Sequence, residues 1–471
     1  MKRILIIGAG EAGRMVAREI AASPELDLAV DGFLDDGPDL AGGTVMDLPV
    51  LGATDALADV ARERGIDEVI VAIPSAEGRV VRRLVRVCQE ARLPFKIVPG
   101  IREIVTGDVH ISQIRPVSAE DLLGRESVDF RPEPVRSLLA DRTVLVTGAG
   151  GSIGSEIARL AAPLAPARLI LLGRGENSIF EIENELRESH PDLAIEGLIA
   201  DIRDRARLGR VFDALRPEVV FHAAAHKHVP YMERFPVEAF VNNVMGTRNL
   251  LDCCRASGVD RMVMLSTDKA VDPRGVMGAS KRLAELLLLD AAAAGGPTRF
   301  ISVRFGNVLG SRGSVVPLFR RQIRNGGPVT VTDPEATRYF MTIKEASMLV
   351  LQAAGLGDGG EIFILNMGES VGILELARAM IRLSGLEPES DIPIVYTGLR
   401  PGEKLHEKLM TRREAEVSEF GEQLMIIRPR LPGDLDLPGV LAELEALAAT
   451  GEGDALGRRL LDLAQEVKDL L

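Results

Sequence analysis

Residues 147–154 read Thr147-Gly148-Ala149-Gly150-Gly151-Ser152-Ile153-Gly154, and this stretch decides the fold. An apolar run, Val144-Leu145-Val146, precedes it, and a helix-like stretch from Glu156 to Leu160 follows. Strand, glycine-rich turn and helix in that order make a cradle for the phosphates of a dinucleotide. Gly148 permits the tight turn, Gly151 lets backbone approach the pyrophosphate, and Gly154 lets helix and strand pack closely. Ser152 and Ile153 stand at the start of the helix, whose N-terminus offers free N–H groups and a positive dipole end. A glycine-rich turn without a ligand is the competing reading, and the flanking pattern argues against it.

The pattern continues downstream. Leu169-Ile170-Leu171-Leu172 reads as the second strand of this unit. A chain that binds NAD commonly ends that strand in Asp or Glu, which holds the ribose hydroxyls. Here the position holds Gly173, followed by Arg174. A guanidinium in place of a carboxylate favours a 2′-phosphate, hence NADP over NAD. Glu176 still offers a carboxylate, so NAD stays open. Gly197-Leu198-Ile199-Ala200 leads to Asp201-Ile202-Arg203, where contact with the adenine edge is expected. Val219-Val220-Phe221 leads to His222-Ala223-Ala224-Ala225, and the small Ala223 and Ala225 let backbone lie close to a cofactor.

A similar unit opens the chain. Ile4-Leu5-Ile6-Ile7 runs into Gly8-Ala9-Gly10-Glu11-Ala12-Gly13 and a helix-like stretch to Ile20. Further strand candidates end at Gly32-Phe33-Leu34-Asp35-Asp36, cover Glu68 to Ile73, and recur at Phe95-Lys96-Ile97-Val98. Strands alternating with helices predict an α/β chain with two Rossmann-like, doubly wound parallel sheets. The second is expected to resemble an extended short-chain dehydrogenase with a smaller C-terminal substrate subdomain. The expected divisions are 1–115, a linker 116–139 packed on a domain, 140–432, and a helical segment 433–471. A lone GxGxxG is a weak signal, and Asp35 and Asp36 fit a ribose contact loosely. The first unit is therefore either a nucleotide site or a scaffold.

Composition excludes several classes. The net charge of −13 argues against nucleic acid or an anionic membrane as the main partner. Cys88, Cys253 and Cys254 lack metal-ligand spacing and read as reduced core thiols. No apolar stretch reaches the ~18 residues of a membrane span. The chain begins Met1-Lys2-Arg3 with a strand and no signal peptide, so a cytoplasmic protein is expected.

The chemistry gathers further on. Arg261 to Ser266 is a strand candidate that delivers Thr267-Asp268-Lys269 to its carboxyl end, where ligands react in open α/β sheets. Beyond it lies Met277-Gly278-Ala279-Ser280-Lys281. A short-chain dehydrogenase carries Tyr-x-x-x-Lys there, one helical turn apart on one face. Met277 exchanges no proton, so either the protein is inactive or Asp268 and Lys269 have taken over the work.

These residues resemble the UDP-N-acetylglucosamine 4,6-dehydratases of bacterial polysaccharide and glycan biosynthesis, within the extended short-chain dehydrogenases. The resemblance covers nearly the whole chain. Its marks are Gly8–Gly13, Asp121–Arg125, Thr147–Gly154, Gly175–Ser178, His222–Glu233, Leu265–Ala270, Val276–Arg282, Arg304–Ser311, Arg338–Ile343 and Arg400–Glu407. Many such relatives carry membrane helices ahead of the first unit, so a soluble member or a truncated one is expected. Similar chains with Met at the tyrosine position are active.

The resemblance implies removal of water across carbons 4 and 6 of a UDP-N-acetylhexosamine, with the hydride leaving carbon 4 and returning to carbon 6. It implies Lys269 as base at carbon 5, Asp268 as acid for the 6-hydroxyl, and Thr267 orienting the 4-hydroxyl. Lys281 would hold the nicotinamide ribose. For Lys269 to act as a base its pKa must fall, through burial or the nearby Lys281 charge. Lys227, Asn307, Arg338, Arg400 and Glu403 are the implied substrate contacts, Arg suiting bidentate phosphate binding. His222, His226 and His228 lack the further ligands a metal site needs, and no metal is expected. Leu437 to Leu471 has helical spacing and reads as a packing or oligomer helix pair, with a homo-oligomer expected by analogy. A UDP-sugar 4-epimerase and a non-catalytic nucleotide-sensing protein are the alternatives. The epimerase depends on the tyrosine that Met277 replaces.

Overall fold

β1 (Lys2–Ile7) carries Ile4 to Ile7, all fully buried, the continuous apolar run that a strand covered on both faces requires. The computed structural model describes residues 1–40, 42–74, 78–91, 93–98, 114–117, 121, 130–416, 418–421, 423–431 and 435–467. Most of the expected linker, and Leu122 to Arg125 of the quoted marks, lie outside the described residues. The chain divides into two compact units. One contains Met1–Ser127, Val315–Pro334 and Val371–Tyr396; the other contains Val128–Ser314, Glu335–Ser370 and Thr397–Leu471.

In the first unit β1 leads through Gly8–Gly10 into α1 (Glu11–Ala22), which returns the chain to β2 (Leu28–Leu34). β3 (Glu68–Val71), α2 (Gly78–Glu90), β4 (Phe95–Ile97) and β5 (Arg115–Pro116) complete a sheet of order β2-β1-β3-β4-β5. Only β5 runs antiparallel to its neighbour. The helix Ile373–Leu383 packs on α2, and the strand Val329–Val331 pairs in parallel with Ile394–Tyr396.

The second unit repeats the plan at larger scale. Its helix Pro132–Leu139 buries Val135, Leu138 and Leu139, so this part of the expected linker is an ordered helix. The strands are β6 (Thr143–Thr147), β7 (Arg168–Gly173), β8 (Ile195–Ile199), β9 (Val219–His222), β10 (Arg261–Thr267), β11 (Arg299–Phe305), β12 (Ile362–Leu365), β13 (Glu419–Phe420) and β14 (Leu424–Ile427). They form one sheet of order β8-β7-β6-β9-β10-β11-β12-β14-β13. β14 and β13 are the antiparallel edge; every other pairing is parallel. The strand order reverses at β6, between β7 and β9, the place where such sheets hold ligands.

Helix α3 (Ser152–Ala161) follows β6, and α4 (Val229–Arg234) follows β9. α5 (Val276–Ala293) carries the Met-x-x-x-Lys segment and buries 15 of its 18 residues. A helix apolar almost all round must be covered all round. The cover comes from the chain's own end: α6 (Leu437–Ala449) and α7 (Gly453–Glu466) form a hairpin, and α7 lies along α5. Leu456, Leu460 and Leu463 make its buried stripe at helical spacing. Among the described residues no helix is long and apolar enough to cross a membrane.

Four buried charges tie α5 to the sheet. Arg304 on β11 donates to Glu285 of α5 at 2.8 Å and to Glu414 at 3.2 Å. Arg282 donates to Glu285 at 3.0 Å and lies 3.5 Å from Glu414. Ser266 Oγ donates to Glu285 at 2.6 Å. Burial alone would raise the Glu414 carboxyl, yet the charges of Arg304 and Arg282 bring its pKa down to about 2. Two cations and two anions thus cancel in a place that water does not reach. Removing one partner strands a buried charge, which costs about 3–5 kcal/mol. Arg304→Met is therefore expected to lower stability by about that amount in denaturant titration, while Arg412→Met on the exposed surface leaves it nearly unchanged.

Candidate functional site

Gly148 makes the tight turn and Gly154 the close helix packing that their spacing predicts. Gly148 adopts φ +68°, and a Cβ there would lie 2.7 Å from the Ala224 nitrogen. A Cβ on Gly154 would lie 2.3 Å from the Gly148 carbonyl oxygen, so only glycine lets α3 sit this close to the turn. A cleft of about 260 Å³ opens beside them. Its lining includes Gly148, Gly151, Arg174, Asp201, Ile202, Ala223 and Ala225, which the sequence had nominated for a cofactor. Ser152 caps a different contact: its hydroxyl accepts the Arg312 N–H at 3.2 Å. Ile153 packs partly buried against the core beneath.

Arg174 is exposed at the mouth of this cleft and makes no ion pair among the described residues. Asp201 is engaged by its neighbour. Its carboxylate accepts from the Arg203 guanidinium at 2.7 Å and from the Arg203 N–H at 3.0 Å. The pairing with Arg203 holds the Asp201 carboxyl below its ordinary range. In the first unit, Asp35 accepts from Ala9 N at 2.7 Å and Asp36 from Thr54 N and Arg83 at 2.8 Å. Both carboxylates considered there for a ribose are thus already bound to the protein.

A polar cluster forms where β10 ends. Thr267 is its last residue, and a short 3₁₀ turn, Asp268–Ala270, follows. Thr267 Oγ1 donates to Asp268 Oδ1 at 2.9 Å, and Lys269 Nζ donates to the same oxygen at 3.0 Å. Lys269 Nζ also donates to Asn307 Oδ1 at 3.0 Å. Asp268 is fully buried, and its Oδ2 has no hydrogen-bond partner. Asn307 is placed by the pairing of Asn307–Val308 with Phe340–Met341.

Lys269 departs from expectation. Burial works against its ammonium, but the carboxylates of Asp268 and Glu407 outweigh burial and leave its pKa above the ordinary value. Lys281 behaves the other way. Buried in α5, with Glu285 only partly offsetting the desolvation, its pKa falls to about 8. Met277 is buried one turn earlier, so its side chain joins the core and exchanges no proton.

The remaining candidates divide. Lys227 Nζ donates to Ser311 Oγ at 3.3 Å, and burial and then the Lys269 charge pull its pKa down. Arg338 spends its fork on backbone, donating to the carbonyls of Thr337, Lys404 and Leu405 at 2.7–2.9 Å. Arg400 pairs with Glu403 at 2.8 Å on the surface. Two residues of the Arg400–Glu407 loop entered without a role in the sequence reading. Glu407 Oε1 lies 3.7 Å from Lys269 Nζ, and Lys404 Nζ lies 3.1 Å from Glu407 Oε2. The i, i+3 spacing of Lys404 and Glu407 was the available signal, but nothing in the sequence aims it at Lys269. Glu233 was missed as well; it accepts from Val276 N at 2.6 Å and so caps α5.

The three histidines have separate settings. His222 is buried between Thr147 Oγ1 at 2.8 Å and Thr247 Oγ1 at 3.1 Å. His226 lies 4.0 Å from Glu238, and His228 meets the Tyr231 ring edge-on.

A nine-stranded sheet with the glycine turn at its reversal and Thr267-Asp268-Lys269 at the end of β10 has the fold of an extended short-chain dehydrogenase/reductase. The chain belongs to the polysaccharide biosynthesis protein family, which it matches over residues 144–429; residues 1–99 match a CoA-binding domain family. It is 43% identical over 457 residues to the probable polysaccharide biosynthesis protein EpsC of Bacillus subtilis, covering 97% of this chain and 76% of that protein. It is 34% identical over 294 residues to a UDP-N-acetylglucosamine 4,6-dehydratase (inverting) of Campylobacter jejuni, covering 62% of this chain and 84% of that one. The X-ray structure of Pen from Bacillus thuringiensis is similar with a TM-score of 0.59, at 37% identity, over 63% of this chain and 89% of that chain. UDP-glucose 4-epimerases of Rickettsia are also relatives.

Burial, aided by the charge of Lys281, drops the His222 pKa from 6.5 to about 3. Native His222 is then neutral while the unfolded chain takes up a proton as pH falls below 6.5, so this contribution to stability is full above 6.5 and lost on acidification towards 3. His222→Gln is expected to flatten that part of the stability–pH curve measured by chemical denaturation.

Proposed function

We propose that this chain is a UDP-N-acetylhexosamine 4,6-dehydratase, acting on UDP-N-acetylglucosamine and using NADP or NAD, with NADP favoured. The family's named members include a dehydratase and epimerases, and the choice between those two rests on one observation. At the end of β10 an Asp268–Lys269 pair sits beside Thr267 and Asn307, while the tyrosine position holds the buried Met277.

The cradle fits a dinucleotide, because a Cβ at Gly148 would fill the space beside Ala223 and Ala224. Gly148, Gly151, Ser152, Ile153, Gly154, Asp201, Ile202, Ala223 and Ala225 would hold it, with Arg174 at the ribose phosphate and Lys281 at the nicotinamide ribose. The bound nicotinamide supplies a hydride acceptor at carbon 4 and a donor at carbon 6.

The protein's share is proton handling. Thr267 Oγ1 takes the 4-hydroxyl proton as it passes its own to Asp268 Oδ1, along the 2.9 Å hydrogen bond between them. Asp268 is thereby charged as the acid that the 6-hydroxyl needs on leaving. Lys269, once neutral, removes the proton from carbon 5, which the 4-ketone has acidified, and returns it there at the end. The protons balance: Asp268 gains one and gives it to the departing water, and Lys269 gains one and gives it back. Lys227, Asn307, Arg338, Arg400 and Glu403 are proposed on the substrate side. Arg338 contributes there as backbone support and as charge, since its donors are occupied.

Incubation with UDP-N-acetylglucosamine and cofactor, read by mass spectrometry, is expected to give a product lighter by one water. Lys269→Ala and Asp268→Asn are each expected to slow this about 10²–10⁴-fold. An epimerised sugar of unchanged mass would overturn the reading, and cofactor binding with no turnover would favour a nucleotide sensor. Arg174→Ser is expected to weaken NADP binding and leave NAD binding nearly unchanged in calorimetry.

A further inference from the structure

Lys269 Nζ is surrounded by three oxygens of different origin. Asp268 Oδ1 at 3.0 Å and Asn307 Oδ1 at 3.0 Å arrive with the strand ends. The third, Glu407 Oε1 at 3.7 Å, arrives with a loop far along the chain. That loop is pinned. Lys404 Nζ donates to the Val271 carbonyl at 2.7 Å and lies 3.1 Å from Glu407 Oε2. Arg338 holds the carbonyls of Lys404 and Leu405, and Arg304 Nη1 donates to that of Leu409 at 3.3 Å. The Glu407 side chain is 3% exposed and that of Lys269 22%, so water screens their attraction little.

We propose that Glu407 is a positioning residue for Lys269: held by Lys404, its carboxylate is a second counter-charge that keeps Lys269 an ammonium in the resting site and sets the pH at which Lys269 becomes a base. The inference rests on the dehydratase reading for what Lys269 does, and on the geometry alone for the pairing. The groups that bear on Lys269 are the carboxylates Asp268 and Glu407, the cations Arg338 and Lys227, and the neutral amide of Asn307. Asp268, the nearer partner at 3.0 Å, changes its protonation during the proposed reaction, so Glu407 at 3.7 Å is the counter-charge that persists through it. Glu407 touches none of the proton transfers and is free to fill that place.

The direction follows from charge. An opposite charge raises an amine's pKa, so removing Glu407 lowers it and removing Lys404, which competes for Glu407, raises it. The full chain is labelled with acetic anhydride across a pH series, and acetylation at Lys269 is read by peptide mass spectrometry. Glu407→Gln is expected to move the labelling midpoint down by about one pH unit, or about tenfold in free amine at a given pH. Glu407→Asp keeps a carboxylate and is expected to stay nearer the unaltered chain. Lys404→Met is expected to move the midpoint upward, and this decides the matter if Glu407→Gln does not fold.

In turnover, the rate should rise with pH as Lys269 loses its proton, and Glu407→Gln should bring that rise to lower pH. A uniform loss of kcat with an unmoved pH profile and labelling midpoint would overturn the proposal and leave Glu407 a packing residue. Dehydration with unmoved midpoints would remove the pairing and keep the dehydratase. Moved midpoints with no dehydrated product would keep the pairing and remove the dehydratase.

Discussion

Arg282, Glu285, Arg304 and Glu414 are buried as a neutral set of four, and the end of β10 that carries Thr267-Asp268-Lys269 hangs from it. Glu285 belongs to α5, Arg304 to β11, and Glu414 to the short helix Arg412–Glu416 beyond the Arg400–Glu407 loop. Ser266, the residue before Thr267, donates into the same set. A neutral buried set is rigid because any single displacement exposes an unpaired charge to a medium that does not solvate it. The register between the strand that presents Asp268 and Lys269 and the helix that presents Lys281 is therefore fixed.

Above that anchor the site separates two demands. In the cleft beside Gly148, glycines and alanines bring backbone close, and Asp201 is neutralised by Arg203, which leaves Arg174 as its unpaired charge among the described residues. The end of β10 is dense in charge, with Asp268, Lys269, Glu407, Lys404 and Arg338 close together. Burial raises carboxyl pKa values and lowers those of amines, and at Lys269 and Glu407 the pairings oppose it. Lys281, buried in α5, has only the charge of Glu285 to offset its desolvation, and its pKa falls to about 8.

The order of strands and helices was largely legible. Continuous apolar runs such as Val144–Val146 and Ile4–Ile7 announce strands covered on both faces, and glycine turns mark where each sheet begins. The helix Pro132–Leu139 was read as linker because three buried residues in eight leave a faint period. The grouping of Val315–Pro334 and Val371–Tyr396 with the first unit has no local signature, since it depends on pairing between segments distant in sequence. The C-terminal repeat of leucines predicted a helix pair, but a leucine stripe does not name its partner; the stripe lies on α5 of the same chain.

The sequence by itself determined the two glycine-turn sheets, the cradle at Gly148–Gly154, and the replacement of a tyrosine by Met277. It could do so because those features rest on neighbours a few residues apart, where spacing and backbone geometry suffice. Only the tertiary structure decided that carboxylates hold the Lys269 pKa up against burial, that Arg338 is spent on carbonyls, and that Glu407 stands beside Lys269. Charge states and hydrogen-bond commitments depend on distance in space and on exclusion of water, and neither is written in the order of residues.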